Sequence, residues 1–230
     1  MEDDMSDGGG TSGQIKEKLV ATKQRWAREG RLLTGRSIDE KRPRREEDRL
    51  PPGQRKTADW PVLDLGVKPN IPLESWRLQI DGLVEQPMRL DWSQFQALPQ
   101  TDFTSDIHCV TSWSRFDNHW RGVAVMDLLD RIMPKAEAQF VTLWSYDTYT
   151  TNLPLMEFAA EDALLATHWN DAPLTIEHGG PVRAIVPQLY FWKSAKWVKR
   201  IEFHAEDRPG FWEERGYHNH GDPWREQRYG

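Results

Sequence analysis

Strand-like and helix-like stretches follow one another irregularly along this sequence, and that irregularity limits its fold more than any other feature. Trp76-Arg77-Leu78-Gln79-Ile80 alternates polar and apolar residues and runs into Asp81-Gly82, the period and stop of a half-buried strand. Met88-Arg89-Leu90 continues the sheet, and Thr101 to Ile107 alternates again. Phe140 to Trp144 and Thr148 to Leu153 read as a hairpin joined around Tyr146-Asp147. Ala163 to Ala166, Val182 to Val186 and Arg200 to Phe203 supply further strands. Helices are short and few. Asp91 or Ser93 can cap one through Phe95 and Leu98, which Pro99 stops. Val123 to Ile132 carries the apolar stripe Val125, Leu128, Leu129, Ile132 ahead of Pro134, a helical spacing. A doubly wound parallel sheet needs a regular strand–helix beat, so the expected class is α+β with a mixed sheet.

The beginning of the chain differs in composition. Met1 to Gly13 is acidic and glycine-rich, a pattern expected to stay disordered. Ile15, Leu19, Thr22 and Trp26 share one helical face that Gly30 would end. Residues 36–57 form a mixed-charge run closing on Pro51-Pro52-Gly53 and read as a solvated tether. The expected organisation is therefore a flexible extension over residues 1–57 and a packed domain over residues 58–230, beginning near Trp60-Pro61-Val62-Leu63. A length of 230 residues suits one domain plus a tail. It also allows a core that needs no disulfide or metal staple. Hydrophobic content of 38% and a mean hydropathy of -0.75 are low, as an unpacked extension would make them.

Charge and hydropathy exclude several partners. Net charge is -6 and no basic face dominates, so nucleic acid is not expected. No apolar run approaches 18 residues, so no membrane span is expected. The first 60 residues lack the apolar stretch of a secretory signal, and Arg44-Arg45 is followed by Glu46-Glu47-Asp48 rather than by an export sequence. With one unpaired cysteine, the expected compartment is the cytoplasm.

That cysteine lies in Asp106-Ile107-His108-Cys109-Val110-Thr111-Ser112-Trp113-Ser114-Arg115. Its uses are three: buried small hydrophobe, nucleophile or metal ligand. His108 and Arg115 favour a thiolate, and Trp113 can wall off one side. Neither the Gln-Ala-Cys nor the Cys-Gly-Ser-Cys-Trp protease signature is present. A single thiol cannot build a cysteine-rich zinc site or an iron–sulfur cluster. A metal taking only this thiolate must obtain its other ligands from a cofactor.

A second cluster is His178-Gly179-Gly180-Pro181-Val182-Arg183, followed by Lys193-Ser194-Ala195-Lys196-Trp197. Arg183, Lys193 and Lys196, with the Ser194 hydroxyl and loop amides, would form a cationic cup for an anion such as phosphate, or else sit on a solvated strand edge. Twelve tryptophans beside these polar residues suggest a pocket lined by rigid rings that also carry donors. The stretch Gly210 to Trp224 is punctuated by glycine and rich in rings. It is expected to fold back over the pocket, placing Tyr217 and His218 at its mouth. His218 and His220 alone form too sparse a set for a metal.

Taken together, His108-Cys109-Val110-x-x-Trp113-Ser114, Trp120-Arg121-Gly122, Tyr149 to Pro154, His178-Gly-Gly-Pro-Val-Arg183 and Lys193-Ser-Ala-Lys196-Trp197 resemble the molybdopterin-binding domain of the sulfite oxidase family. The similarity spans about residues 60–205 and leans toward the branch of the periplasmic methionine-sulfoxide reductase catalytic subunit. It also resembles short bacterial relatives that end in a Gly-Phe-Trp-Glu-x-x-Gly-Tyr-His segment.

The resemblance implies molybdenum and molybdopterin as cofactors, with Cys109 as the protein's metal ligand. It implies that His108, Asp147, His178, Arg183, Lys193, Ser194, Ala195 and Lys196 hold the cofactor. Arg115, His119, Tyr217 and His218 are the candidates for orienting substrate. The implied reaction is oxygen-atom transfer to or from a small oxyanion or S-oxide, with an external electron-transfer partner. The animal and plant enzymes place Arg-x-His early in the domain, where this chain has Asp59-Trp60-Pro61-Val62-Leu63. That departure makes sulfite doubtful as substrate. The alternatives are a non-catalytic molybdopterin-binding protein and a cysteine hydrolase.

Overall fold

The computed structural model describes residues 46–230; the helix expected over Ile15 to Trp26 lies outside the described residues. Two sheets make the domain. The first contains β1 (Arg55–Lys56), β4 (Thr101–Cys109), β5 (Trp113–Ala124), β8 (Leu164–Trp169), β9 (Ala172–Pro173) and β10 (Arg183–Ile185). The second runs in the order β3 (Met88–Asp91), β2 (Arg77–Gly82), β11 (Val198–His204), β6 (Phe140–Ser145) and β7 (Thr150–Pro154). Most neighbours are antiparallel, but β2 with β11 and β1 with β5 are parallel. This is the mixed-sheet α+β fold that the irregular order of elements requires.

The short helices form where their caps and stripes place them. α1 (Trp92–Gln96) starts with a reciprocal cap: the Gln94 amide donates to Asp91 Oδ1 at 2.8 Å and the Asp91 amide to Gln94 Oε1 at 2.9 Å. Such a box satisfies two otherwise orphaned donors. It turns Phe95 fully inward. α2 (Val125–Ile132) buries Val125, Leu128, Leu129 and Ile132, and ends at Met133 in the left-handed region with φ 47°. Val123, expected as its first residue, is instead the penultimate residue of β5. α3 (Leu155–Phe158) is a single turn after β7. Among the described residues no helix is long and apolar enough to cross a membrane.

The longest strand, β5, has no counterpart in the sequence reading. Its composition, Trp-Ser-Arg-Phe-Asp-Asn-His-Trp-Arg-Gly, hides the alternation. Trp113, Phe116, Asn118, Trp120 and Gly122 nonetheless fall on buried positions. Asn118 is buried because its amide donates to the Ser105 and Arg115 carbonyls. Gly122 marks a close crossing: a Cβ there would collide with the Leu165 carbonyl of β8.

The end of the mixed-charge run is docked on the domain and is not a solvated tether. The β5 edge offers free carbonyls, and the Arg55 and Thr57 amides donate to Ser112 and Ser114 at 3.0 and 2.9 Å. Arg49 adds an ion pair to Asp106 at 2.6 Å.

Candidate functional site: a thiol and a buried cation on one cavity

Strands β4 and β5 pair so that Cys109, the last residue of β4, faces Trp113 across a tight turn. Ser112 closes that turn with φ 68°. Cys109 is 5% exposed and lines a cavity of about 360 Å³. Its Sγ lies 3.2 Å from the Thr111 hydroxyl. Burial pushes the thiol pKa up, and the Thr111 hydroxyl opposes that rise. The sulfur's hydrogen-bond partner is therefore a hydroxyl, not the imidazole that a cysteine hydrolase would need as base.

The same cavity is lined by His178, Arg183, Ser194, Ala195, Lys196 and Asp147. Arg183 is 2% exposed and lies on β10. Its guanidinium donates to the His178 carbonyl at 2.8 Å and the Ser194 carbonyl at 2.9 Å, and lies 4.2 Å from the centre of the Phe191 ring. Among the described residues no carboxylate pairs with it. Burial lowers its pKa to about 9. A buried cation whose hydrogen bonds go only to carbonyls and whose other neighbours are ring faces has no counter-charge, which favours an anion in the cavity. Lys196 donates to the Glu177 carbonyl at 2.9 Å; burial, then the Arg183 charge, lowers its pKa to about 8.

His178 is fixed at both nitrogens. Nε2 sits 3.1 Å from the Trp60 carbonyl, so it carries the proton and donates. Nδ1 then accepts from the Thr175 hydroxyl at 3.1 Å. The imidazole packs on the Trp60 ring with centroids 3.9 Å apart. Burial lowers its pKa. Asp147, in the β6–β7 turn, accepts from the Tyr149 amide at 3.1 Å, and burial raises its pKa. The Ser194 hydroxyl accepts from the Val186 amide at 2.9 Å, so it braces the loop that places Lys196. Gly179, at φ 103°, lets that loop pass against Lys196 and Arg183, where a Cβ would crowd both side chains.

Five of the candidates are turned elsewhere. His108 precedes Cys109 on the strand, so the pleat directs it to the opposite face. There its Nδ1 lies 2.8 Å from the Ser114 hydroxyl. Arg115 donates to the Ala58 carbonyl and to Asn118, and stacks on Trp169. Lys193 is fully buried in an ion pair with Glu213 at 2.6 Å and does not line the cavity. His218 lies outside the lining, its Nδ1 accepting from the His220 and Gly221 amides. His119 is bound to Asp171 on the far end of β5. Tyr217 does line the cavity, its ring 4.8 Å from Trp212 and 5.2 Å from Trp192.

Five of the twelve tryptophans, Trp60, Trp113, Trp192, Trp197 and Trp212, line the cavity. Trp60 and Trp197 are not among the candidates that the sequence offers. The Trp60 ring and carbonyl are what orient His178.

Comparison with known families shows which family the chain belongs to. The family described as "Oxidoreductase molybdopterin binding domain" matches residues 65–212. The chain belongs to this molybdopterin-binding oxidoreductase family. It is 48% identical over 185 residues to the uncharacterized oxidoreductase YuiH of Bacillus subtilis, covering 80% of this chain and 93% of that one. It is 28% identical to the protein-methionine-sulfoxide reductase catalytic subunit MsrP of Campylobacter jejuni over 63% of this chain, and 26% identical to Arabidopsis thaliana sulfite oxidase, also over 63%. The chain spans 54% of that MsrP and 46% of that sulfite oxidase. The sulfane dehydrogenase SoxCD of Paracoccus pantotrophus shares the fold, with a TM-score of 0.55 and 23% identity over 60% of this chain and 40% of that one.

The residues present fit the family's molybdenum cofactor. Its phosphate needs a cation, and Arg183 is a buried one without a carboxylate. Its pterin needs polar partners, and Ser145 presents to the cavity a buried hydroxyl that no protein group satisfies. Among the described residues no group of three or more His, Cys, Asp and Glu could hold a bare metal ion.

Proposed function

We propose that the protein catalyses oxygen-atom transfer to or from a small sulfur-containing substrate, sulfite-like or an S-oxide, with Cys109 as the protein's ligand to molybdenum. The observation that carries this reading is the sharing of one cavity by the chain's sole thiol and the carboxylate-free cation Arg183. In this reading Arg183 and Lys196 hold the phosphate, while His178, Asp147 and Ser145 hold the ring system. When bound, the cofactor supplies two-electron oxygen-atom transfer at molybdenum.

The chain's own residues bind, orient and exclude. Trp113, Trp212 and Tyr217 wall the cavity that Cys109 shares and keep bulk water from the sulfur. Tyr217 is held as a neutral phenol, since burial and then Tyr229 and Cys109 raise its pKa. It can donate a hydrogen bond to a substrate oxygen across the ordinary pH range. Reduction of an S-oxide consumes two electrons and two protons and releases a thioether and water; oxidation of sulfite runs the other way. Either direction needs an external electron-transfer partner. A cytoplasmic setting belongs to this reading and is supported by the lone unpaired cysteine.

Steady-state assays in both directions test it. Protein from molybdate-supplied cells is given sulfite with ferricyanide, or a thioether S-oxide with reduced viologen. Turnover in one direction that is lost in Cys109→Ser supports the proposal. Turnover in neither direction, by protein that holds molybdenum, favours a binding protein without catalysis.

A further inference from the structure

The turn that carries Cys109 is held by two segments outside residues 65–212, the span matched by the family. Before it in sequence lies the stretch around β1. Gln54 Nε2 donates to the Cys109 carbonyl at 3.0 Å, and the Arg55 amide donates to the Ser112 carbonyl at 3.0 Å. After it comes Arg228, whose Nη1 donates to the Val110 carbonyl at 2.6 Å. The same guanidinium reaches the Pro52 carbonyl through Nη2 at 3.4 Å and lies 5.1 Å from the centre of the Tyr190 ring. Arg228 thus ties the turn to the segment before β1. Its own backbone is fixed by the His218 amide, which donates to the Arg228 carbonyl at 3.1 Å.

The turn needs such support. Ser112 is a non-glycine residue in the left-handed region, a conformation that persists only when its surroundings over-determine it. Carbonyls 109, 110 and 112 all point to donors supplied from these two segments. A charge-assisted bond to a carbonyl is also stronger than a neutral one. The direction of the Cys109 side chain follows from the orientation of these peptide units.

We propose that Arg228 and Gln54 are positioning residues that clamp the Val110 and Cys109 carbonyls and so fix the line along which the Cys109 sulfur enters the cavity. The proposal rests on the reading of Cys109 as the metal ligand. Neither residue touches the cavity; both act through the turn.

The test uses the full-length chain as Arg228→Ala, Arg228→Lys and Gln54→Ala. In cofactor-free protein the rate constant for alkylation of the Cys109 thiolate by iodoacetamide is taken from the high-pH plateau, because the Arg228 charge also lowers the thiol pKa. Loss of a charge-assisted bond should free the turn and raise that rate by about tenfold or more in Arg228→Ala. Gln54→Ala should raise it less, and Arg228→Lys, which keeps a donor, should stay near wild type. In cofactor-loaded protein, kcat should fall with KM and molybdenum content unchanged. If Arg228→Ala and Gln54→Ala alkylate at the wild-type rate, the clamp is overturned. Should Arg228→Ala fail to fold, Gln54→Ala and Arg228→Lys decide the matter by the same readouts. A loaded Cys109→Ser variant with full turnover would instead overturn the ligand reading, whatever the alkylation rates show.

Discussion

Lys193 Nζ lies 2.6 Å from Glu213 Oε1, with both side chains out of contact with water. Lys193 also donates to the Asn152 backbone and side-chain oxygens at 2.9 and 3.1 Å, and the Trp192 indole donates to the same Glu213 oxygen at 2.8 Å. The pair joins the segment after Gly210 to the cavity wall. Removing one partner leaves the other charge buried and unpaired, which costs about 3–5 kcal/mol. Urea unfolding of Glu213→Gln should show a loss of that size, and the double change Lys193→Met, Glu213→Leu should recover much of it. If Lys193→Met folds with wild-type stability yet loses its molybdenum, Lys193 is a cofactor contact after all.

Arg183 is the buried cavity cation with which, among the described residues, no carboxylate pairs. Arg183→Met should fold but retain at most about a tenth of the wild-type molybdenum, the effect of losing a charge-assisted contact to phosphate. Arg183→Lys cannot reach the His178 and Ser194 carbonyls in the same fork and should fall between. Elemental analysis per mole of folded chain reads the result. Wild-type content in Arg183→Met would remove the phosphate role.

Lys196 carries a testable pH dependence. Its pKa is lowered to about 8, so its charge is present below that value and lost above it. The affinity of cofactor-free protein for pyrophosphate should fall as pH rises from 7 to 9, by about tenfold if one lysine charge governs binding. Lys196→Arg should leave only the smaller fall near pH 9 that Arg183 contributes, and Lys196→Gln should bind weakly at every pH. Calorimetric titration decides. A wild-type affinity that is flat across this range would contradict the assignment.

Tyr217 lines the cavity, and the proposed reading makes its phenol a donor to substrate. Tyr217→Phe keeps the ring packing against Trp212 and Trp192 and removes only the hydroxyl. Its turnover should drop about 100-fold or more if the phenol acts as a proton or hydrogen-bond donor in the reaction, with molybdenum content unchanged. Unchanged kcat would leave Tyr217 as a wall residue only.

These cases show where the sequence was legible. The Asp91 cap, the α2 stripe and the hairpin around Tyr146-Asp147 follow from local spacing, which tertiary packing did not override. β5 was hidden because its buried positions include Asn118 and Gly122, whose burial depends on partners from Ser105 and Leu165 far along the chain. The Lys193-Ser-Ala-Lys196 run reads as one cationic motif. Separating the structural lysine from the cavity lysine required knowing that Glu213 returns to meet the first. His108 was misplaced for a simpler reason: adjacency in sequence on a strand means opposite faces. Trp60 carried no signal of its own, because a single tryptophan does not reveal that its carbonyl will orient a histidine 118 residues later.

The central claim is that the Cys109 sulfur binds molybdenum. X-ray absorption at the molybdenum edge, on loaded wild type and on loaded Cys109→Ser, tests it most directly. The account predicts one sulfur scatterer fewer in the variant, with the remaining shell intact. Identical sulfur shells in the two proteins would contradict it.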